Sequence, residues 1–176
     1  MTGLGLVSSV SGEPVFRAEL VSHLRTWRSS ASATFVLAFL AGKSVAKAEL
    51  HILWLASGSN PTPVVSSVPE TRGAHALALV SNPDRRKDGF VLAIGLPKHQ
   101  LALFASDPAS KSVRRFHVED VPGAVTSLAF HRTLLFVGLD NGVILRANLA
   151  TGLEFVPLAL SNPPSAAVSF LGVAPT

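Results

Sequence analysis

The sequence predicts an all-β fold of consecutive antiparallel strands, and three observations carry that expectation. Short apolar runs alternate with turn-forming clusters such as Ser81-Asn82-Pro83-Asp84, Leu139-Asp140-Asn141-Gly142 and Ser161-Asn162-Pro163-Pro164. Proline cannot donate to a sheet ladder, so such clusters mark where strands end. A strand-like segment at residues 91–95 recurs 43 residues later at 134–138. Few segments keep a helical period for three turns.

Length and composition agree with one folded domain. The chain has 176 residues, of which 48% are hydrophobic. Only 15% are charged, against a typical share of about 25%. A disordered chain is excluded, because there is ample apolar surface to offset the ordering entropy. With no cysteine there are no disulfides, no thiolate nucleophile and no cysteine-held zinc or iron–sulfur centre. The net charge of +4, from 15 basic and 11 acidic residues, is weak evidence about partners.

Along the chain, residues 1–34 are expected to form a strand-and-helix segment packed on the array. The helix is read at residues 16–27, where Phe16, Leu20, Leu24 and Trp27 share one helical face. No acidic residue lies between Glu19 and Glu49, while Arg25, Arg28, Lys43 and Lys47 are positive. The longest apolar run, residues 33–41, is nine residues, about half of what a membrane-spanning helix needs. It is read as a buried strand. It lies too far into the chain for the core of a secretory signal, and Glu13 and Glu19 count against an organelle transit peptide. The expected compartment is the cytoplasm, with the nucleus as the other candidate.

The clearest unit is at about 124–156. Residues 125–130 read as one strand and 134–138 as a second. Asp140-Asn141-Gly142 reads as a tight turn, since Asn and Gly accept the positive φ of a two-residue hairpin. Residues 143–149 read as a third strand, closed by Ala150-Thr151-Gly152. This stretch resembles one blade of a WD40-repeat β-propeller. Gly138-Leu139-Asp140-Asn141-Gly142 is similar to the family's glycine and aspartate turn, and Leu149-Ala150-Thr151-Gly152 to the segment after its tryptophan–aspartate pair. That pair is replaced here by Ala147 and Asn148, so the signature dipeptide is absent.

The resemblance extends to other segments. Residues 91–95 lie on the frame of 134–138, Phe104 falls opposite Ala147, and residues 76–80 match 125–130, giving a unit at about 74–116. A weaker copy at about 35–66 has Leu55-Ala56-Ser57-Gly58 echoing residues 149–152, with Trp54 nearby. Residues 166–172 resemble the opening strand of a further, partial unit at 166–176. The resemblance therefore implies a β-propeller-like array of antiparallel four-stranded blades over residues 35–176. Three units and partial ends fall short of the usual four to eight blades, which implies an incomplete propeller closed by the N-terminal residues or by a partner.

Residues able to do chemistry are sparse. The histidines, at 23, 51, 75, 99, 117 and 131, show no metal-ligand spacing. The resemblance gives His75, two residues after Gly73, a structural role. Glu119-Asp120 reads as a solvated loop rather than a general acid/base pair, and Asp140-Asn141-Gly142 lacks the spaced ligands of a calcium loop. Gly3-Leu4-Gly5 and Gly42-Lys43-Ser44 each lack part of a phosphate-binding loop. No Gly-x-Ser-x-Gly elbow occurs. No catalytic residue, cofactor or metal is expected.

Two basic clusters remain as candidate contacts for an anion or a partner: Arg85, Arg86 and Lys87, flanked by Asp84 and Asp88, and Arg114 with Arg115. Phe90 and Phe116 at their edges are the aromatics within reach for stacking on a base. The expected function is a non-catalytic protein-interaction scaffold, a subunit of a larger assembly. The alternative is an RNA- or ribonucleoprotein-associated factor, or a reader of anionic lipid, using the basic segments.

Overall fold

The computed structural model describes residues 4–7, 14–18, 20–32, 34–56, 63–84, 88–160 and 166–172, with side chains from residue 21 onward. Fourteen strands follow in order: β1 (Leu4–Val7), β2 (Pro14–Ala18), β3 (Leu20–Arg28), β4 (Thr34–Gly42), β5 (Glu49–Ala56), β6 (Val64–Val68), β7 (Ala76–Ser81), β8 (Phe90–Leu96), β9 (Gln100–Asp107), β10 (Ser112–Asp120), β11 (Val125–His131), β12 (Leu134–Leu139), β13 (Ile144–Asn148) and β14 (Gly152–Pro157). β1 and β2 pair only with each other among the described residues. The rest form three four-stranded meanders: β3 to β6, β7 to β10 and β11 to β14, each antiparallel and in chain order.

Alternation decides which side of each strand is buried against which sheet. In β4, Val36, Ala38 and Leu40 face the second sheet and join a core with Trp27, Trp54, Leu92, Ile94 and Phe104. In β8 every residue is buried. Leu92 and Ile94 point to that first core, while Ala93 points to a second one with Leu101, Leu103, Leu135 and Val137. A strand covered on both faces reads as one unbroken apolar run, which is why residues 90–96 are the most continuous signal in the sequence. β7 lies against both β3 and β11, so the opening strands of the three sheets gather on one side.

The sheet-to-sheet step repeats. A Cβ on Gly95 of β8 would come 2.9 Å from Val125, the opening residue of the third sheet. A Cβ on Gly138 of β12 would come 2.6 Å from Val168 Cγ1. Val168 thus stands on the third sheet as Val125 stands on the second, 43 residues further along the chain. Its amide donates to Leu139 O (3.1 Å), and its carbonyl accepts from Thr126 Oγ1 (2.7 Å) and Ser127 Oγ (2.9 Å).

Three expectations are corrected. Residues 16–27 are not helical: β2 and most of β3 occupy them, and the register of β3 slips between Ser22 and Arg25. That slip leaves Leu24 55% exposed while Trp27 is 6% exposed, so the two do not share an environment. The first sheet accordingly opens at Leu20 rather than at residue 35, because β3 pairs along β4 from Leu20↔Gly42 to Arg28↔Phe35. Residues 166–172 hold the place of an opening strand without forming one, since their bonds gather at Val168 and no strand lies beyond to pair with them among the described residues.

Candidate interaction site

β10 is the outer strand of the second sheet and has no buried residue, with Arg114, Arg115 and Phe116 exposed in succession. It carries Arg114 and Arg115, opposite Ala105 and Phe104 of β9. Successive strand residues face opposite ways, so these arginines diverge. Arg115 turns toward the connection between the first and second sheets, its Nη1 3.7 Å from Glu70 Oε2. Arg114 lines a cleft shared with the third sheet. They do not form one basic patch. Arg85, Arg86 and Lys87 lie outside the described residues. Their neighbour Asp88 is engaged, accepting from Ser29 Oγ at 2.5 Å and from the Ser30 amide at 3.3 Å.

The cleft owes its shape to one extra residue. The β10–β9 register jumps from Arg115↔Phe104 to His117↔Leu103, leaving Phe116 as a bulge without a partner. Its ring is 43% exposed and lines a cavity of about 530 Å³ with Val91, Ala105, Arg114, Leu149 and Leu153. Asn82 and Asp84 also line it. One residue on, His117 stacks on Phe155 of the third sheet with ring centroids 6.1 Å apart and planes 15° apart. Its Nε2 is 3.1 Å from Glu119 Oε2. Phe90, the other aromatic expected at a basic cluster's edge, is wholly buried between Trp27 and Trp54 and is closed to any ligand.

Other expected features take structural positions. His75 Nδ1 lies 3.2 Å from Gly73 O and its amide donates to Gly95 O, a local role. Asp140 accepts from the Ala124 amide at 2.9 Å, and Asn141 Nδ2 donates to Pro122 O at 2.9 Å, so the turn is pinned to the connection between β10 and β11, which joins the second and third sheets. Gly142 takes φ 84°, the left-handed region that the turn requires. Glu119 and Asp120 are strand residues at the end of β10, not a loop, and Asp120 accepts from Gln100 Nε2 at 3.0 Å. Among the described residues no three His, Asp or Glu side chains gather as a metal site.

A second hollow, about 630 Å³, was not legible in the sequence. It brings Lys43, Lys47 and Arg72 around Glu49 and His51. Glu49 is 3.8 Å from both Arg72 and His51. Burial lowers the His51 pKa from its ordinary value, an effect that Glu49 opposes without overcoming. These residues come from two separate strand connections and β5, so only the fold unites them.

No family model matches the sequence, and no curated protein matches it. Among solved structures, that of Saccharomyces cerevisiae Sqt1 is similar over 99% of this chain and 47% of that one, with a TM-score of 0.57 at 17% identity. BBS1N, solved in complex with ARL6DN, overlaps 92% of this chain and 48% of that one, with a TM-score of 0.49 at 12% identity. The chain spans about half the length of the solved chains it matches. With three in-order antiparallel meanders packed face to face, and with that similarity to Sqt1, this chain has a β-propeller-type fold, with three consecutive blade-like sheets among the described residues.

Proposed function

We propose that the chain is a non-catalytic interaction scaffold that grips an extended protein segment in the cleft between its second and third sheets. The observation that carries this reading is Phe116. A bulge on an outer strand turns a large aromatic ring toward solvent beside Arg114, over an apolar floor of Val91, Ala105 and Leu153. An exposed aromatic next to an arginine is the composition of an interface anchor. The segment that fits presents an apolar side chain to the floor and a carboxylate to Arg114. The divergence of Arg114 from Arg115 weakens the case for a polyanion such as RNA, which needs its cations along one path.

A photo-reactive amino acid at position 116 in cells tests this reading. Discrete protein adducts that fade when Arg114→Ala is added are expected. Adducts to RNA alone, or protein adducts indifferent to Arg114, overturn it.

A further inference from the structure

Beyond Arg114 the wall of the cleft runs on to a cluster of hydroxyls. Ser112 opens β10 and is exposed. Ahead of the bulge at Phe116 the strand pairs regularly with β9, as Ser112↔Asp107, Val113↔Ser106 and Arg114↔Ala105. Val113 packs on the core between the first and second sheets. Alternation therefore turns Ser112 and Arg114 to the opposite face, about 7 Å apart along the strand. That face borders the cleft, since Ala105, the partner of Arg114, lines it too.

The Ser112 hydroxyl ends a short relay. Ser110 Oγ donates to Asp107 Oδ2 at 2.6 Å and lies 2.7 Å from Ser112 Oγ. With the Ser110 proton committed to the carboxylate, Ser112 is the donor of the second bond. Asp107 Oδ1 accepts the Ala109 amide at 3.1 Å, so this carboxylate is held within its own turn.

We propose that Ser112 is a phosphorylation site that switches the cleft, its phosphate taking the Arg114 guanidinium that the bound segment's carboxylate otherwise uses. This rests on the scaffold reading and adds the control of its grip. A protein kinase's nucleoside triphosphate gives up its γ-phosphoryl group to Ser112. The Oγ–P bond forms and the bond to the bridging oxygen breaks. The nucleoside diphosphate leaves with that electron pair, and the hydroxyl proton goes to the kinase's base. Lys111 before the acceptor, with Arg114 and Arg115 after it, supplies the flanking charge pattern by which kinases choose substrates. The phosphate ester has no hydroxyl proton to give Ser110, so the relay breaks. Asp107, paired across the strands from Ser112, repels the new charge, while Arg114 on the same face offers it a two-pronged bond. Both effects turn the phosphate along the strand toward Arg114.

Three measurements test the switch. Cutting before aspartate releases the peptide from Asp107 to Glu119, and mass spectrometry of the chain taken from its cells should find phosphate on Ser112 within it. Phosphoserine placed at position 112 by genetic encoding can be followed by phosphorus NMR. Its phosphate should titrate about half a unit lower than in the same chain with Arg114→Ala. In cross-linking from position 116, Ser112→Glu should cut the protein adducts severalfold, toward the Arg114→Ala level, while its uncharged isostere Ser112→Gln should leave them. A Ser112 without phosphate in cells, a titration indifferent to Arg114, or equal adducts from Ser112→Glu and Ser112→Gln overturns the switch. Adducts missing from the unaltered chain are a different failure: they overturn the cleft reading itself, and the switch with it, even where the titration holds.

Discussion

Trp54 is the largest of the side chains with no exposed surface, and its indole Nε1 has no hydrogen-bond partner among the described residues. The ring earns its place by packing, 5.7 Å from the Phe90 centroid in the core between the first and second sheets. A buried unpaired donor costs about 1–3 kcal/mol, and deleting a buried tryptophan to alanine costs about 3–5 kcal/mol. The two effects oppose each other in Trp54→Phe, which sheds the orphaned N–H and keeps most of the apolar contact. Chemical denaturation should place Trp54→Phe within about 1 kcal/mol of the unaltered protein, with Trp54→Ala several times worse. Equal losses for the two variants would mean that the N–H is paired after all.

Strands differ in how openly the sequence declares them. β7, β8 and β12 are legible because each is a nearly continuous apolar run bounded by turn residues, β8 and β12 share a period, and β11 carries Val125 and Leu128-Ala129-Phe130 just ahead of β12. β10 shows in the sequence as a basic cluster closing the 74–116 unit and as the Glu119-Asp120 pair that reads as a loop, since an outer strand wetted along one side has no apolar run to betray it. The cleft was half legible: Arg114 and Phe116 stood out, but the bulge that aims the ring depends on pairing with β9, which residue spacing does not encode. Residues 16–27 mimic a helix in the sequence because Phe16 of β2 and Leu20, Leu24 and Trp27 of β3 fall at helical intervals; the register slip at residues 22–25 breaks the alternation that marks a strand. A helix and this strand predict different mutational costs. On a helical stripe Leu24 and Trp27 would be equally buried, whereas in β3 Leu24→Thr should change stability by less than about 0.5 kcal/mol. Trp27→Ala should cost about 3–5 kcal/mol. Comparable losses for both in a denaturant titration would return this segment to a helix.

At the scale of the molecule, stability is shared between neighbours, because each sheet buries its faces only against the next. The second sheet has a partner on both sides, and β8 is buried throughout. The contact between the first and second sheets holds the bulkiest rings, Trp27, Trp54, Phe90 and Phe104. The contact between the second and third includes small residues, Ala76, Ala78 and Ala93, and its outer members Leu149, Leu153 and Phe155 are only partly buried. Opening should therefore begin at the third sheet and reach β8 last. Hydrogen exchange should show amides of β13 and β14 exchanging fastest among the strands of the second and third sheets, and β8 and β9 slowest. Protection uniform across these two sheets would mean that they unfold as one unit, and the graded packing of the two cores would then have no energetic consequence.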